Sequence, residues 1–558
     1  MSPAGFPGEQ RQFSGLWMLG GSKVQKDRRV EFLRGAFILA TASFLSRLIG
    51  VAFRIVIPRI IGTYGVGLFS QAYAIYNVFL SLSTVGVPLA VSKMIADRVA
   101  RSDMRGASRV MRAAMTILGA SGLVFAVLLI LGAGPLARRV YLDPKAYWPI
   151  VAIAPAIFLV SIEAGFRGFY QGLQQMAPSG YSQLIEQLVR VAAMFMLVAP
   201  LVKYGVEYAA AWVAFTSAIG AVAGILYLFS AYLRGRPFLV AKKPASAFPV
   251  ESLGSIMWRI VAFTIPVSIS AMISPLMGLV DAALVPGRLH AAGLGVKQAT
   301  ELYGVLSGMA LPVANLPTVL SGALAVSLVP TISEAWALED RRLVQSRALA
   351  GMRVAALISL PAAVGLIVLG PEISHLLYGT AAAGLPLAAL AVGLFFVAFQ
   401  QVSSGVLQGS GRSDLPVRNL FWGALVKTIF TWFLTGISWL GVVGAAVASD
   451  IGYLVSAALN VRSMSGFTGA YVDFVELLGR PALASLIMAA GVEGSLRLGL
   501  YVTHHTSIAT VGAILVGLFI YIVSMAAMGG LTRNDLDMVP ALGPALARWL
   551  GRLGLLKK

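Results

Sequence analysis

The run "LSRLIGVAFRIVIPRIIG" at residues 45–62 has the length and apolarity of a membrane crossing, yet it carries Arg47, Arg54 and Arg59. A crossing takes about 20 mostly apolar residues, and an arginine at its centre costs about 2.5–3.5 kcal/mol even on the lenient insertion scale. Arginines kept at that depth therefore face protein or water. Arg47 and Arg54 are two helical turns apart, on one face and about 10 Å from each other along the axis. They form a stripe suited to a water-filled cavity, whereas Arg59, after Pro58 at the end of the span, suits snorkelling to the interface.

The rest of the chain has the same character. Its 558 residues are 58% hydrophobic and 12% charged, with mean hydropathy +0.83, against about a quarter charged in soluble domains. Breaking it at charged and Gly/Pro-rich joints gives about fourteen spans, at 35–61, 66–92, 110–132, 147–170, 180–202, 207–233, 258–285, 302–329, 350–370, 383–408, 416–436, 440–461, 481–500 and 507–529. The first 31 residues, ending in "KVQKDRRVEF", lack a cleavage site after a short apolar core and suit a polar tail. The net charge of +20 is a topology signal rather than a mark of nucleic acid, because most lysines and arginines fall in loops on the side of that tail, side A. Opposite, on side B, are only Arg59, Arg138, Arg139, Lys145, Lys203, Arg288, Lys297 and Arg497. Side A is thus expected to be cytoplasmic, with both termini inside. No cysteine is present, so disulfides and thiolate ligands are excluded.

Three stretches recur in order. "LSRLIGVAFRIVIP" (45–58) aligns with "ISPLMGLVDAALVP" (273–286), "LAVS" (89–92) with 324–327, and "YQGLQQMAPSGYSQLIEQLVR" (170–190) with "LQGSGRSDLPVRNLFWGALVK" (407–427). The offsets are 228, 235 and 237, pairing Gly172 with Gly409, Arg190 with Lys427 and Phe53 with Asp281. Six spans per copy is an even number, so the copies point the same way across the bilayer, related by an axis along its normal with a cavity between them. The expected architecture is an all-α polytopic membrane protein: a tail (1–31), a first six-helix lobe (32–250), a second (251–465), an added helix pair (466–530) and a basic amphipathic tail (531–558). Prolines 88, 155, 266, 275, 312, 317 and 361 lie inside the spans, either as ordinary membrane-helix prolines or as hinges.

The charges within spans define the candidate site. Arg47, Arg54, Arg190 and Lys427 are the candidate cavity cations that would bind substrate. Glu163 with Arg167 and Glu186 with Arg190 are spaced i, i+4 with the acid first, the better order for an intrahelical pair. Asp281, opposite Phe53 in the repeat, is a candidate partner of Arg54 or a coupling site for H+ or Na+. Asp450 is assigned as a buried structural acid. No Walker A loop, HExxH or Ser/His/Asp arrangement is present, and the histidines (290, 375, 504 and 505) do not make a metal site. No catalytic residue, cofactor or metal is expected, and a secondary transporter fits better than an enzyme. A glycosyltransferase for a lipid-linked sugar would call for paired acids at a membrane face and a large outer domain, for which the side B loops are too short.

Residues 45–96, together with "LAVSLVPTISEA" (324–335) and "VLQGSGRSDLP" (406–416), resemble the polysaccharide-transporter branch of the multidrug/oligosaccharidyl-lipid/polysaccharide (MOP) exporter superfamily. The stage V sporulation protein B and lipid II flippase (MurJ-like) group is the nearest in character. The resemblance implies two six-helix lobes in a V shape in a bacterial cytoplasmic membrane. It also implies a final helix pair grooved toward the cavity, and outward movement of an undecaprenyl-diphosphate-linked saccharide for peptidoglycan or other envelope polysaccharide. Membrane lipids are then partners alongside the lipid-linked oligosaccharide. Arg47 matches the first cavity arginine of the lipid II flippases; at the second the chain has Phe53, with Arg54 one residue later. The alternative is a cation-coupled multidrug exporter of the MATE type, whose cavity would be richer in acids and aromatics than in arginine.

Overall fold

A computed structural model describes residues 10–241 and 251–530, and the described residues outside the turns are helical throughout. The helices are α1 (Gln10–Thr84), α2 (Val87–Ala100), α3 (Met104–Pro135), α4 (Tyr147–Gly172), α5 (Met176–Val202), α6 (Val206–Ala241) and α7 (Leu253–Ala291). There follow α8 (Val296–Gly304), α9 (Leu311–Ala314), α10 (Thr318–Ala337), α11 (Arg341–Val368), α12 (Gly370–Tyr378) and α13 (Gly384–Gly409). The last are α14 (Asp414–Thr435), α15 (Gly441–Thr468), α16 (Phe474–Thr503) and α17 (Thr506–Ala527). Each expected span falls largely on helix, and among the described residues 12 stretches are long and apolar enough to cross a membrane. The first, residues 37–100, has 64 residues, about 96 Å of helix or three bilayer cores. It doubles back at Gly62, whose φ of 68° lies where a residue without a Cβ is favoured.

Two expectations are corrected; the expected tail is not among them, its residues 10–31 forming the start of α1. Of the prolines inside spans, only Pro88, at the start of α2, and Pro312 and Pro317, around α9, stand at interruptions; the others are accommodated inside helices. The crossing expected at 302–329 is therefore a broken one: a π-turn at Val305–Ala310, one turn of α9, then a bend at 315–317 before α10. The second correction concerns the repeat. The expected C-terminal amphipathic tail and the join between the two halves lie outside the described residues.

The repeat recurs in the packing. Gly172 approaches Ile95 and the Ser92 carbonyl, and Gly409 approaches Ile332 and the Val329 carbonyl. Gly168 lies on Pro88 as Gly405 lies on Ala325. Every one of these pairs is offset by 237, so the "LAVS" match at 235 is out of register by two: close glycine packing fixes the register where short apolar identities do not. Gly220 sits over Glu186 and Arg190, and Gly452 over Gly423 and Lys427, in the same manner.

Packing also distinguishes the two sides. One hydrophobic cluster joins both halves, with Ile57, Leu68, Phe69 and Ile153 against Val285, Tyr303, Met309 and Leu390. Toward side A it gives way to two separate clusters, one around Val91, Ile95 and Phe169 and one around Ile332, Phe399 and Val402. The halves thus share one core at side B, whereas toward side A they have separate cores, with the start of α7 (Ile256, Ile260) packed on that of the first half. At the meeting point Thr63 and Gly67 face Thr300 and Gly304 reciprocally: a Cβ on Gly67 would strike the Thr300 carbonyl, and one on Gly304 the Thr63 carbonyl. This is the small-xxx-small contact that brings membrane helices close. Asp143 reinforces it, accepting hydrogen bonds from Tyr64 Oη at 3.0 Å and, across the halves, Thr300 Oγ1 at 3.0 Å. Arg59, expected to snorkel, donates to the carbonyls of Leu376 and Leu377 at 2.8 Å, countering the C-terminal dipole of α12. At side A the start of α7 is tied to the N-terminal half, with Glu251 paired to Arg98 at 2.5 Å and to Arg259 at 2.8 Å.

Candidate functional site

Between the halves lies a cavity of about 260 Å³ whose lining includes Arg54, Tyr73 and Asn77 from α1, Asp281 from α7 and Tyr303 from α8. The lining also includes Asn315 at the helix break, Lys427 from α14, and Ser449, Asp450 and Tyr453 from α15. Its two walls differ in charge. On the α1 wall the Arg54 guanidinium sits over the Tyr73 ring at 5.2 Å. Arg190 lies behind it on the same tyrosine, stacked over Phe53 at 4.9 Å. The buried Arg190 Nε has no hydrogen-bond partner among the described residues. On the opposite wall Lys427 Nζ donates to Asp281 Oδ2 at 2.5 Å. Asp450, assigned from sequence as a structural acid, lines the cavity close by.

Of the candidate residues, Arg54, Asp281 and Lys427 thus converge on one space. Asp281 partners Lys427 and not Arg54. Arg47, two turns toward side A, is exposed and does not line the cavity.

The acids of α4 and α5 form a different unit. Arg167 Nη2 donates to Glu163 Oε1 and to Glu186 Oε2, both at 2.7 Å, while its Nε donates to Ser182 Oγ at 3.1 Å. The i, i+4 pairing of Glu186 with Arg190 is therefore overturned. Both arginines lie on the i+4 side of an acid in sequence, but α4 packs its arginine between the two carboxylates, which leaves Arg190 against Phe53 and Tyr73, behind the cavity lining rather than on it. Glu163 is fully buried and Glu186 half-buried. Removing Arg167 would strand two carboxylates in the interior, so Arg167→Ala is expected to destabilise the protein by about 3–5 kcal/mol. The check is the thermal unfolding midpoint of purified protein; an unchanged midpoint would remove the structural role assigned to this cluster.

Residues not singled out from the sequence are Tyr73, Asn77, Asn315 and Tyr453. Asn77 and Asn315 had a signal, an amide inside an otherwise apolar run; Tyr73 and Tyr453 had none, because tyrosines are ordinary in such helices. Next to the cavity is an apolar groove of about 610 Å³ between α11 and the pair α16–α17, lined by Leu357, Ile358, Met488, Val492 and Leu518 among others. The α9 segment divides the two spaces: Leu311, Ala314 and Asn315 face the cavity, and Val313, Leu316 and Pro317 face the groove. Among the described residues no group of His, Asp and Glu suited to a metal ion is found.

The chain matches the family "Polysaccharide biosynthesis protein" over residues 32–336 and the MatE family over 266–433. It is 27% identical over 517 residues to the stage V sporulation protein B of Bacillus subtilis, covering 93% of this chain and 99% of that one. It is 24% identical over 447 residues to the lipid II flippase MurJ of the same organism, covering 76% of this chain and 81% of that one. Among solved structures, an inward-facing multidrug MATE transporter of the MOP superfamily matches with a TM-score of 0.64 at 15% identity, covering 76% of this chain and 96% of that one. Lipid II flippase MurJ in an inward closed conformation matches with a TM-score of 0.61 at 16% identity, covering 88% and 98%. At such identities the structural likeness speaks for the fold, and the family match covers more than half of the sequence. The chain belongs to the polysaccharide biosynthesis protein family.

Proposed function

We propose that the protein is a flippase that moves an undecaprenyl-diphosphate-linked saccharide, lipid II or a related polysaccharide precursor, from the inner to the outer leaflet of a bacterial cytoplasmic membrane by alternating access. The observation that carries this reading is the shared wall at α9, with an arginine-bearing cavity on one face and a predominantly apolar groove on the other. An amphiphile with an anionic head and a long hydrocarbon tail fits such a pair of spaces. Its diphosphate would meet Arg54 and Arg190, whose planar guanidiniums offer paired donors to phosphate oxygens. Arg47, on the same stripe nearer side A, would meet the headgroup on its way in, and the tail would remain in the groove. With side A cytoplasmic, an inside-negative potential favours outward movement of an anion by about 2.3 kcal/mol per charge per 100 mV.

A second reading, a cation-coupled exporter of the MATE type, draws on the MatE match over 266–433 and on the two cavity acids, Asp281 and Asp450. The experiment that separates them is rescue of a cell depleted of its lipid II flippase, with accumulation of the lipid-linked precursor as readout. Rescue is expected. Failure there, with rescue of a mutant lacking another lipid-linked polysaccharide flippase, narrows the cargo to that branch; failure in both, with gain of resistance to cationic drugs, replaces the proposal by the exporter.

A further inference from the structure

The repeat places a cation at equivalent positions in the two halves and gives each a different neighbour. Arg190 and Lys427 are related by the offset of 237 and lie under equivalent glycines, Gly220 and Gly452. Across from them stand Phe53 and Asp281, themselves repeat mates. In the first half the guanidinium stacks on an aromatic ring at 4.9 Å; in the second the ammonium is bonded to a carboxylate at 2.5 Å. The second corner holds another acid, since Asp450 is 7% exposed, lines the same cavity and acts electrostatically on Lys427, as does Tyr453. One lysine thus stands among two carboxylates, where burial of unpaired charge is costly.

We infer that Lys427 is a tethered counter-cation: its ammonium fills the place that a small monovalent cation would otherwise take between Asp281 and Asp450, so this corner exchanges no free cation. A side chain cannot leave its site during a transport cycle as a dissolved ion does. Without it, the two carboxylates and the hydroxyls of Ser449 and Tyr453, which flank Asp450 on α15 and line the same cavity, form an oxygen-rich corner of the kind that hard cations occupy.

The inference does not depend on what the cavity carries, and its test reads cation binding rather than transport. The full chain, purified in detergent at about pH 8.5, where carboxyls are ionised in water, is unfolded thermally in sodium chloride, potassium chloride or choline chloride at matched ionic strength. The wild-type midpoint is expected to be the same in all three salts. Lys427→Met is expected to unfold earlier in choline and to regain stability in sodium or potassium, by about 1 °C at ten times the dissociation constant and about 3 °C at a thousand times. Lys427→Met combined with Asp281→Asn is expected to lose that response. A wild-type midpoint that rises selectively with sodium or potassium overturns the inference, as does a Lys427→Met protein indifferent to both. Should Lys427→Met not fold, the wild-type comparison decides alone, a flat response supporting the tethered cation and a selective rise overturning it.

Discussion

Alanine at Arg190 is expected to reduce transport about 100-fold, with the amount of protein in the membrane unchanged, and alanine at Arg54 to do the same. A charge-assisted hydrogen bond to an anion contributes about 1.5–3 kcal/mol, and each tenfold change in rate corresponds to about 1.4 kcal/mol. Neither guanidinium is spent on a carboxylate: Arg54 rests on Tyr73 and Arg190 on Phe53. Removing either therefore strands no buried acid, unlike removal of Arg167. A sharper variant keeps the arginine and occupies it. Phe53→Asp gives Arg190 the neighbour that Lys427 already has and is expected to cost as much transport as losing the arginine. The measurement is flipping of a short-chain prenyl-diphosphate saccharide by the protein reconstituted in liposomes. Normal rates in both alanine variants would sink the headgroup role of this wall.

Enlarging the contact at side B is expected to have the second large effect. Valine at position 67 would collide with the Thr300 carbonyl, where backbone cannot yield, and overpacking of this kind costs about 1–3 kcal/mol. The cost falls on the state closed at side B. It shifts the balance toward a state open there by about 5- to 150-fold, the ratio that such an energy represents. Because the chain has no cysteine, one placed at Ser307 in the cavity lining reports directly. An impermeant thiol reagent applied from side B is expected to label the Gly67→Val protein several times faster than its parent and transport to fall. Equal labelling would mean that the Thr63–Gly67 and Thr300–Gly304 contact is not what closes side B.

Much of the fold was legible because lipid constrains sequence strongly: a helix that faces hydrocarbon must be apolar along its length, so the spans stand out. The repeat was legible from residues that serve packing, Gly172 with Gly409 and Arg190 with Lys427, and was misplaced by two where it rested on the small apolar residues of "LAVS". Partner choice inside the membrane was less legible. Spacing made Glu186–Arg190 as plausible as Glu163–Arg167, and only the approach of α4 to α5 decides that one arginine takes both acids. The same holds for Asp281, for which sequence offered Arg54 or a coupling ion and the structure gives Lys427, and for Arg59, whose carbonyl partners at 376 and 377 are more than 300 residues away. The breaks at Pro88, Pro312 and Pro317 were indistinguishable in sequence from the prolines that α4, α7 and α11 absorb.

The pairing of Phe53 with Asp281 also bears on ancestry. A single six-helix unit working as two identical copies would have carried the same residue at both places, and so either two unpaired cations or two neutralised ones facing a symmetric chamber. The present arrangement needs the copies to differ, which two products of one six-helix gene cannot do. A chamber of this polarity therefore requires two copies free to change separately. Relatives that retain matching residues at these two positions would preserve the older, undivided state.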